Sequence, residues 1–336
     1  MKKELQPGLH THRLARLMHA AIKRCQLNLS GSVVLTEAAS GAYVVTPVLS
    51  AMAGAEHVYA LTHSTRYGTI EEVKAQTFEL AGLVGVQEQI EIITCKSRDV
   101  VSKADIVTNS GHLRPLDAKV IGWMKPTAVI PLMYEAWEFR PGDVDLPSCR
   151  QRGIQVAGTN ERHPDVDVFS YLGIMAIKLL LDAGIAVYGS RILLLCDNQF
   201  GPFIERGLVN GGACIEAFKS LSQAKSDRTY DAILVALQPR AKPILSAADA
   251  RRITNYWPGA LVAQFWGDID RSGFLTAGVP VVPLEPPAPG HMGILPSEVG
   301  PEPIVRLQVG GLKVGEILSC HSSKVRRKYS AFMQMI

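Results

Sequence analysis

The chain has 336 residues, 47% of them apolar and 20% charged, which is material for two folded domains and excludes a disordered chain. A net charge of +4, with its basic clusters at the two ends (Lys2 and Lys3; Lys324, Arg326, Arg327 and Lys328), argues against a nucleic-acid partner. The N-terminus has no apolar signal-type region and no later stretch offers 18 uninterrupted apolar residues, so the expectation is a cytoplasmic protein without membrane contact.

From Ser32 short apolar runs alternate with helix-length spacers. Strands are expected at 32–37, 57–62, 90–94, 104–109 and 127–133, with a sixth at 153–158. The runs are apolar throughout, as parallel strands covered on both faces require. A long apolar helix is expected over 165–184, opened by Pro164 and closed by Gly184, and it reads as a buried connection between two domains. A second series of strands follows at 191–196, 213–218, 231–237, 260–265 and 279–283. The stretch 302–318 is then a closing helix that crosses back to the first domain.

The fold class that results is α/β, with two Rossmann-like, doubly wound parallel-sheet domains and an interdomain cleft. The expected boundaries are 1–150 plus the C-terminal 300–336 for the first domain and 151–299 for the second. Ligands of such sheets sit beyond the carboxyl ends of the strands. Six cysteines (Cys25, Cys95, Cys149, Cys196, Cys214, Cys320) lie far apart without a CxxC pair, so reduced thiols and no metal site are expected.

The turn opening the second domain reads Cys196, Asp197, Asn198, Gln199, Phe200, Gly201. A dinucleotide turn there would carry GxGxxG, and only the packing glycine is present. The order "GDVDLPSCRQRGIQVAGTNERHPDVDVFSYLGIMAIKLLL", then "GSRILLLCDNQFGPFI", resembles the junction of D-2-hydroxyacid dehydrogenases, the formate and glycerate dehydrogenase family. The resemblance covers roughly 140–310 and continues through "DAILVALQP", "WPGALVAQFWGDIDRSGF" and "LEPPAPGHMG".

That resemblance implies a coenzyme, NAD or NADP, held by Asp197, Asn198, Gln199, Phe200, Gly201, Lys219, Gln238, Pro239, Trp266 and Gly267. It implies Glu285 and His291 as a catalytic acid/base pair, and it implies a homodimer. Two departures stand against it: Trp266 occupies the position of the substrate-clamping arginine, and the Glu-to-His spacing is short. A loop histidine bonded to backbone and a solvated loop acid are the other readings of His291 and Glu285. Lys219, at the tip of the second strand where NAD-binding domains carry an acid, leaves NADP open.

In the first domain the turn Glu37 to Tyr43 and the segment Ser64, Thr65, Arg66 would suit a phosphate. "ADIVTNSGHLRPLDAKVIGWMKPTAVIPLM" resembles the later half of Rossmann domains in shikimate dehydrogenase-like and ornithine cyclodeaminase-like proteins, and the glycine-poor turn compares equally with S-adenosylmethionine methyltransferases. Polar residues expected at strand ends and the cleft are Asn109, His112, Glu135, Glu138, Arg140, Asn160 and Arg162, with Glu161 and His163 beside them. The function implied is an NAD(P)-dependent oxidoreductase-like enzyme for a small polar substrate. The alternatives are an inactive Rossmann protein that binds or scaffolds a partner enzyme, and methyl transfer.

Overall fold

The structure is a computed structural model that describes residues 7–320 and 322–336; Lys2 and Lys3 lie outside them. The chain divides into two compact units, Met1–Val168 with Gly300–Ile336, and Phe169–Val299. In chain order the elements are α1 (Thr11–Cys25), β1 (Val33–Glu37), α2 (Val45–Met52), β2 (His57–Leu61), α3 (Ile70–Leu83), β3 (Ile90–Ile93), α4 (Arg98–Val101), β4 (Ile106–Val107), α5 (Ala118–Trp123), β5 (Val129–Pro131), α6 (Leu146–Arg152) and β6 (Gln155–Thr159). The second unit supplies α7 (Leu172–Asp182), β7 (Arg191–Cys196), α8 (Gly201–Asn210), β8 (Cys214–Phe218), β9 (Ala232–Ala236), α9 (Ala247–Tyr256), β10 (Leu261–Trp266), α10 (Arg271–Thr276) and β11 (Val281–Val282). The chain ends with α11 (Glu302–Ser319), α12 (Ser323–Lys328) and β12 (Met333–Met335).

The first unit is a seven-stranded sheet in the order β12-β6-β5-β4-β1-β2-β3, parallel except for β12, which runs antiparallel to β6. Read from β3, the parallel strands follow the 3-2-1-4-5-6 order of dinucleotide folds, with the topological switch between β1 and β4. Because β6 pairs with β5, the first unit extends to Val168 and the boundary expected at 150 shifts accordingly. Neither α1 nor β12 carries a strong sequence signal of its own. Helix α1 buries Leu14, Met18, Ala21 and Cys25 in the same core as α11.

Helix α11 returns to this sheet as expected and lies on it through glycines. A Cβ on Gly310 would meet Val166 at 2.9 Å, one on Gly315 would meet Ile106 at 2.8 Å, and one on Gly311 would run into the Met133 sulfur. Small residues let the helix backbone approach the strands, and Val305, Val309, Leu312 and Val314 fill the space on either side. Lys313, 1% exposed, donates to the Gln26 carbonyl that ends α1 (2.8 Å) and to Glu316 (2.7 Å). This pairing satisfies a buried ammonium that would otherwise be costly. Arg326 of the basic C-terminal cluster is structural too: it donates to the Cys320 carbonyl (2.6 Å) and the Leu318 carbonyl (2.5 Å), backbone acceptors at the end of α11.

The second unit is a five-stranded parallel sheet in the order β11-β10-β9-β7-β8, the flavodoxin-like 2-1-3-4-5 arrangement, with its switch between β7 and β9. Strands β9 and β10 are buried at every position, as their unbroken apolar runs require. The helix expected over 165–184 starts later, as a 3-10 turn at Phe169–Tyr171 followed by α7. It is not buried all round, since Ile174 and Leu181 are half exposed. It crosses α8 at a glycine pair: a Cβ on Gly173 would lie 2.6 Å from the Gly207 Cα. All six cysteines are free thiols, and no described helix is long and apolar enough to cross a membrane.

The glycine crossing makes a paired prediction. Gly207→Ala destabilises the protein by about 1–3 kcal/mol, because overpacking must push α7 and α8 apart. Gly122→Ala, within α5 and with nothing within 4 Å of an added Cβ, is neutral or stabilising by roughly 0.5–1 kcal/mol. Urea midpoints of the two variants measured side by side check the contrast.

Candidate functional site

At the carboxyl end of the second sheet the turn after β7 is filled by its own side chains. Asn198 donates from Nδ2 to the Ala236 carbonyl at the end of β9 (2.6 Å), and its Oδ1 accepts the Phe200 N–H (3.0 Å). The Asp197 carboxylate accepts the Gln238 N–H (2.8 Å) and lies 3.4 Å from Arg240. Phe200, which opens α8, is buried, its ring centroid 5.3 Å from that of Phe169 and 5.1 Å from that of Trp266. Gly201 meets Cys196, and Gln199 is exposed. These residues, expected to receive a coenzyme, instead tie β7 to β9.

The remaining coenzyme positions are similarly engaged or remote. Lys219 is exposed and donates its N–H to Gln223 (3.0 Å). Pro239 follows the Gln238 whose amide Asp197 takes. Gly267 has φ +99° and an added Cβ would meet the Leu237 carbonyl oxygen at 2.5 Å, so the position demands glycine for packing reasons.

Trp266 is 7% exposed, so it is a buried anchor and not a wall open to solvent. Its indole N–H donates to the Gly290 carbonyl (3.1 Å). Asp268 accepts the Gly290 N–H on both oxygens (3.1 Å each), and the Gly293 N–H donates to the Phe265 carbonyl (2.9 Å). The loop is thus pinned at both ends to β10, with exposed His291 between the pins. Glu285 is an exposed residue of the segment after β11. Asp268, which carries no motif, is the pinning group that the residue types alone did not reveal.

The first unit closes its own switch point in the same manner. Glu37, the last residue of β1, is 7% exposed and accepts the His112 N–H (3.1 Å) across the gap to β4. Burial raises its carboxyl above the usual range, opposed by the His112 N–H and the charge of Arg114. The His112 ring meets the His63 ring edge-on at 5.4 Å. Asn109 is buried, its Oδ1 accepting the Met133 N–H (2.8 Å) while its Nδ2 lacks a protein partner. In the turn, Ser40 donates to the Tyr67 carbonyl (3.0 Å) and the Gly41 N–H to Gln76 (3.3 Å). Ser64, Thr65 and Arg66 are engaged locally: Ser64 and Thr65 accept the Ile70 and Tyr67 N–H groups, and the Arg66 guanidinium lies over Tyr67.

The densest gathering of titratable groups lies beyond β5 and β6. Glu135 is fully buried and accepts from the Trp137 indole (2.5 Å) and from Arg162 Nε (3.1 Å). Glu138 accepts the Glu135 N–H (3.4 Å). Burial, and then the neighbouring Glu135 charge, push the Glu138 carboxyl up to about 7. Glu161, 8% exposed, is held well above the usual range by burial and by Glu138 and Glu135, with Arg162 opposing. Three carboxyls in one buried neighbourhood cannot all ionise cheaply, so protons are retained near neutral pH. Glu135, Glu138, Glu161 and Arg162 thus form one group, as expected of strand-end residues. Arg140 is exposed. Asn160 serves elsewhere: its Nδ2 donates to the Ala331 carbonyl (2.8 Å) and ties β6 to the C-terminal segment. His163 stacks on Phe332 with ring centroids 3.7 Å apart.

A dinucleotide needs backbone N–H groups open to its diphosphate at a switch point. In the second unit the Phe200 and Gln238 N–H groups are already bonded to side-chain oxygens. In the first unit the His112 N–H is bonded to a buried acid. Neither turn fits a diphosphate as it stands.

No protein-family model and no curated protein sequence matches the chain. Among solved structures it is similar to a dipicolinate synthase from Bacillus halodurans, at 12% identity over 84% of this chain and 96% of that one, with a TM-score of 0.54. It is also similar to the dipicolinate synthase from Bacillus subtilis, at 12% identity over 90% and 99%, with a TM-score of 0.53. A putative D-3-phosphoglycerate dehydrogenase from Ralstonia solanacearum superposes more loosely, at 12% identity over 85% and 93%, with a TM-score of 0.46. Solved structures of the dehydrogenase family that the sequence resembles are among the chains with a similar fold, and the likeness is one of architecture.

The acid cluster sets a pH-dependent prediction. Unfolded, Glu138 titrates near 4.5; folded, it titrates at about 7. Between those values the folded chain keeps a proton that the unfolded chain has lost, so this group's contribution to stability falls as pH rises through the window. Glu138→Gln has no such loss, and its stability relative to the native chain rises by about 2 kcal/mol across that window. Thermal melts of both proteins on either side of it measure the difference, and parallel curves would contradict it.

Proposed function

We propose that this chain is an oxidoreductase-fold enzyme that acts on a small polar substrate by proton transfer, with Glu138 and Glu161 as the acid and base groups and Arg162 orienting them through Glu135. The observation that supports the reading is the buried carboxyl group at the ends of β5 and β6, which keeps a proton available near neutral pH. Asn109, with its unspent amide donor in the same sheet end, adds a neutral hydrogen-bonding group for a polar substrate. His291, on its pinned loop in the second unit, is the acid/base group that the dehydrogenase resemblance implies, with Glu285 as its companion. Hydride transfer with NAD or NADP is the finer reading of that resemblance. The turns do not fit a diphosphate, so no step is assigned to a coenzyme.

A binding or scaffolding role beside a partner enzyme is the second reading. It is favoured by the bonds from Asp197 and Asn198 to the end of β9 and the segment after it, which use the groups a coenzyme would need. Non-denaturing mass spectrometry of the purified chain separates the two. The enzyme reading expects a retained small polar molecule that is lost in Glu161→Gln, whereas a stoichiometric protein partner and no small molecule supports the scaffold.

A further inference from the structure

The two units carry the same device at their switch points. In each, an acid ends the first strand: Glu37 on β1 and Asp197 directly after β7. In each, that acid accepts a backbone N–H from the segment after the strand across the switch, His112 at 3.1 Å and Gln238 at 2.8 Å. In each, an arginine two residues beyond that amide supplies the opposing charge: Arg240 lies 3.4 Å from Asp197, and Arg114 acts on Glu37. The repetition occurs in sheets of different strand order, 3-2-1-4-5-6 and 2-1-3-4-5.

We infer that Glu37 and Asp197 are carboxylate latches that close both switch points and exclude phosphate groups from them, so that neither unit seats a dinucleotide in the manner of its fold. The exclusion has two physical parts. The amide a phosphate oxygen would accept from is already bonded, and breaking that bond leaves a desolvated carboxylate behind. The carboxylate also stands where the diphosphate charge would come, and like charges repel strongly at such separations away from bulk water. In the second unit Asn198 adds steric closure, since its Nδ2 spans to Ala236 and its Oδ1 takes the Phe200 amide at the start of α8. The inference holds for either reading of the function and does not depend on the acid cluster.

Amide hydrogen exchange of the full chain by NMR, with NADH and NADPH titrations followed by coenzyme fluorescence, tests it. Asp197→Ala is expected to speed exchange at Gln238 by about tenfold or more and leave His112 unchanged, and Glu37→Ala to do the reverse, as loss of one hydrogen bond each requires. The native chain is expected to show no saturable coenzyme signal up to millimolar concentration. Saturable binding accompanied by exchange protection of 37–43 or 196–204 overturns the inference, as does unchanged exchange at both amides in the variants. Saturable binding that leaves both segments unprotected upholds it and places the coenzyme elsewhere.

Discussion

The Asp197 carboxylate takes the Gln238 N–H, and the neighbouring Asn198 holds the Ala236 carbonyl, so two successive side chains fix one strand end to the next. With those bonds made, the ends of β7 and β9 are locked together, α8 begins at buried Phe200, and Phe200 reaches Trp266. Trp266 in turn holds Gly290, so the position of the His291 loop follows from how the first turn of the sheet is closed. Glu37 plays the corresponding part between β1 and β4. A dinucleotide fold leaves this gap for its ligand, and here each unit fills it with internal hydrogen bonds.

The architecture was legible because parallel strands buried on both faces must be apolar throughout, and the runs named in the sequence became strands of the two sheets. The elements that escaped are those whose pairing is decided at a distance. β12 has no alternation to announce it and exists because the edge of β6 is open to pair with it. The boundary at 168 depends on β6 joining β5, which a local reading of 153–158 could not weigh against the helix that follows.

The candidate site was legible in composition and less so in grouping. Glu135, Glu138 and Arg162 were recognisable as strand-end polar residues, and they do come together. Asn160 looked the same in sequence and serves to hold the C-terminal segment, because its partner Ala331 is far away along the chain. Glu37 and Asp268 gave no motif. Their roles arise from backbone amides that only the folded loops bring to them. The turn at 196–201 raised the right question by lacking glycines, and the answer lay in what its side chains bond.

The three glycines of α11 have a consequence for the order in which the molecule can be made. The first unit's sheet stays uncovered where α11 belongs until residues 300–336 have been synthesised, although its strands β1 to β6 leave the ribosome early. Residues 169–299 form their unit from one continuous stretch and can fold while the rest is still being translated. The part of the chain that emerges first is the last to be completed. During that interval its apolar sheet face is the surface on which a nascent-chain chaperone would act.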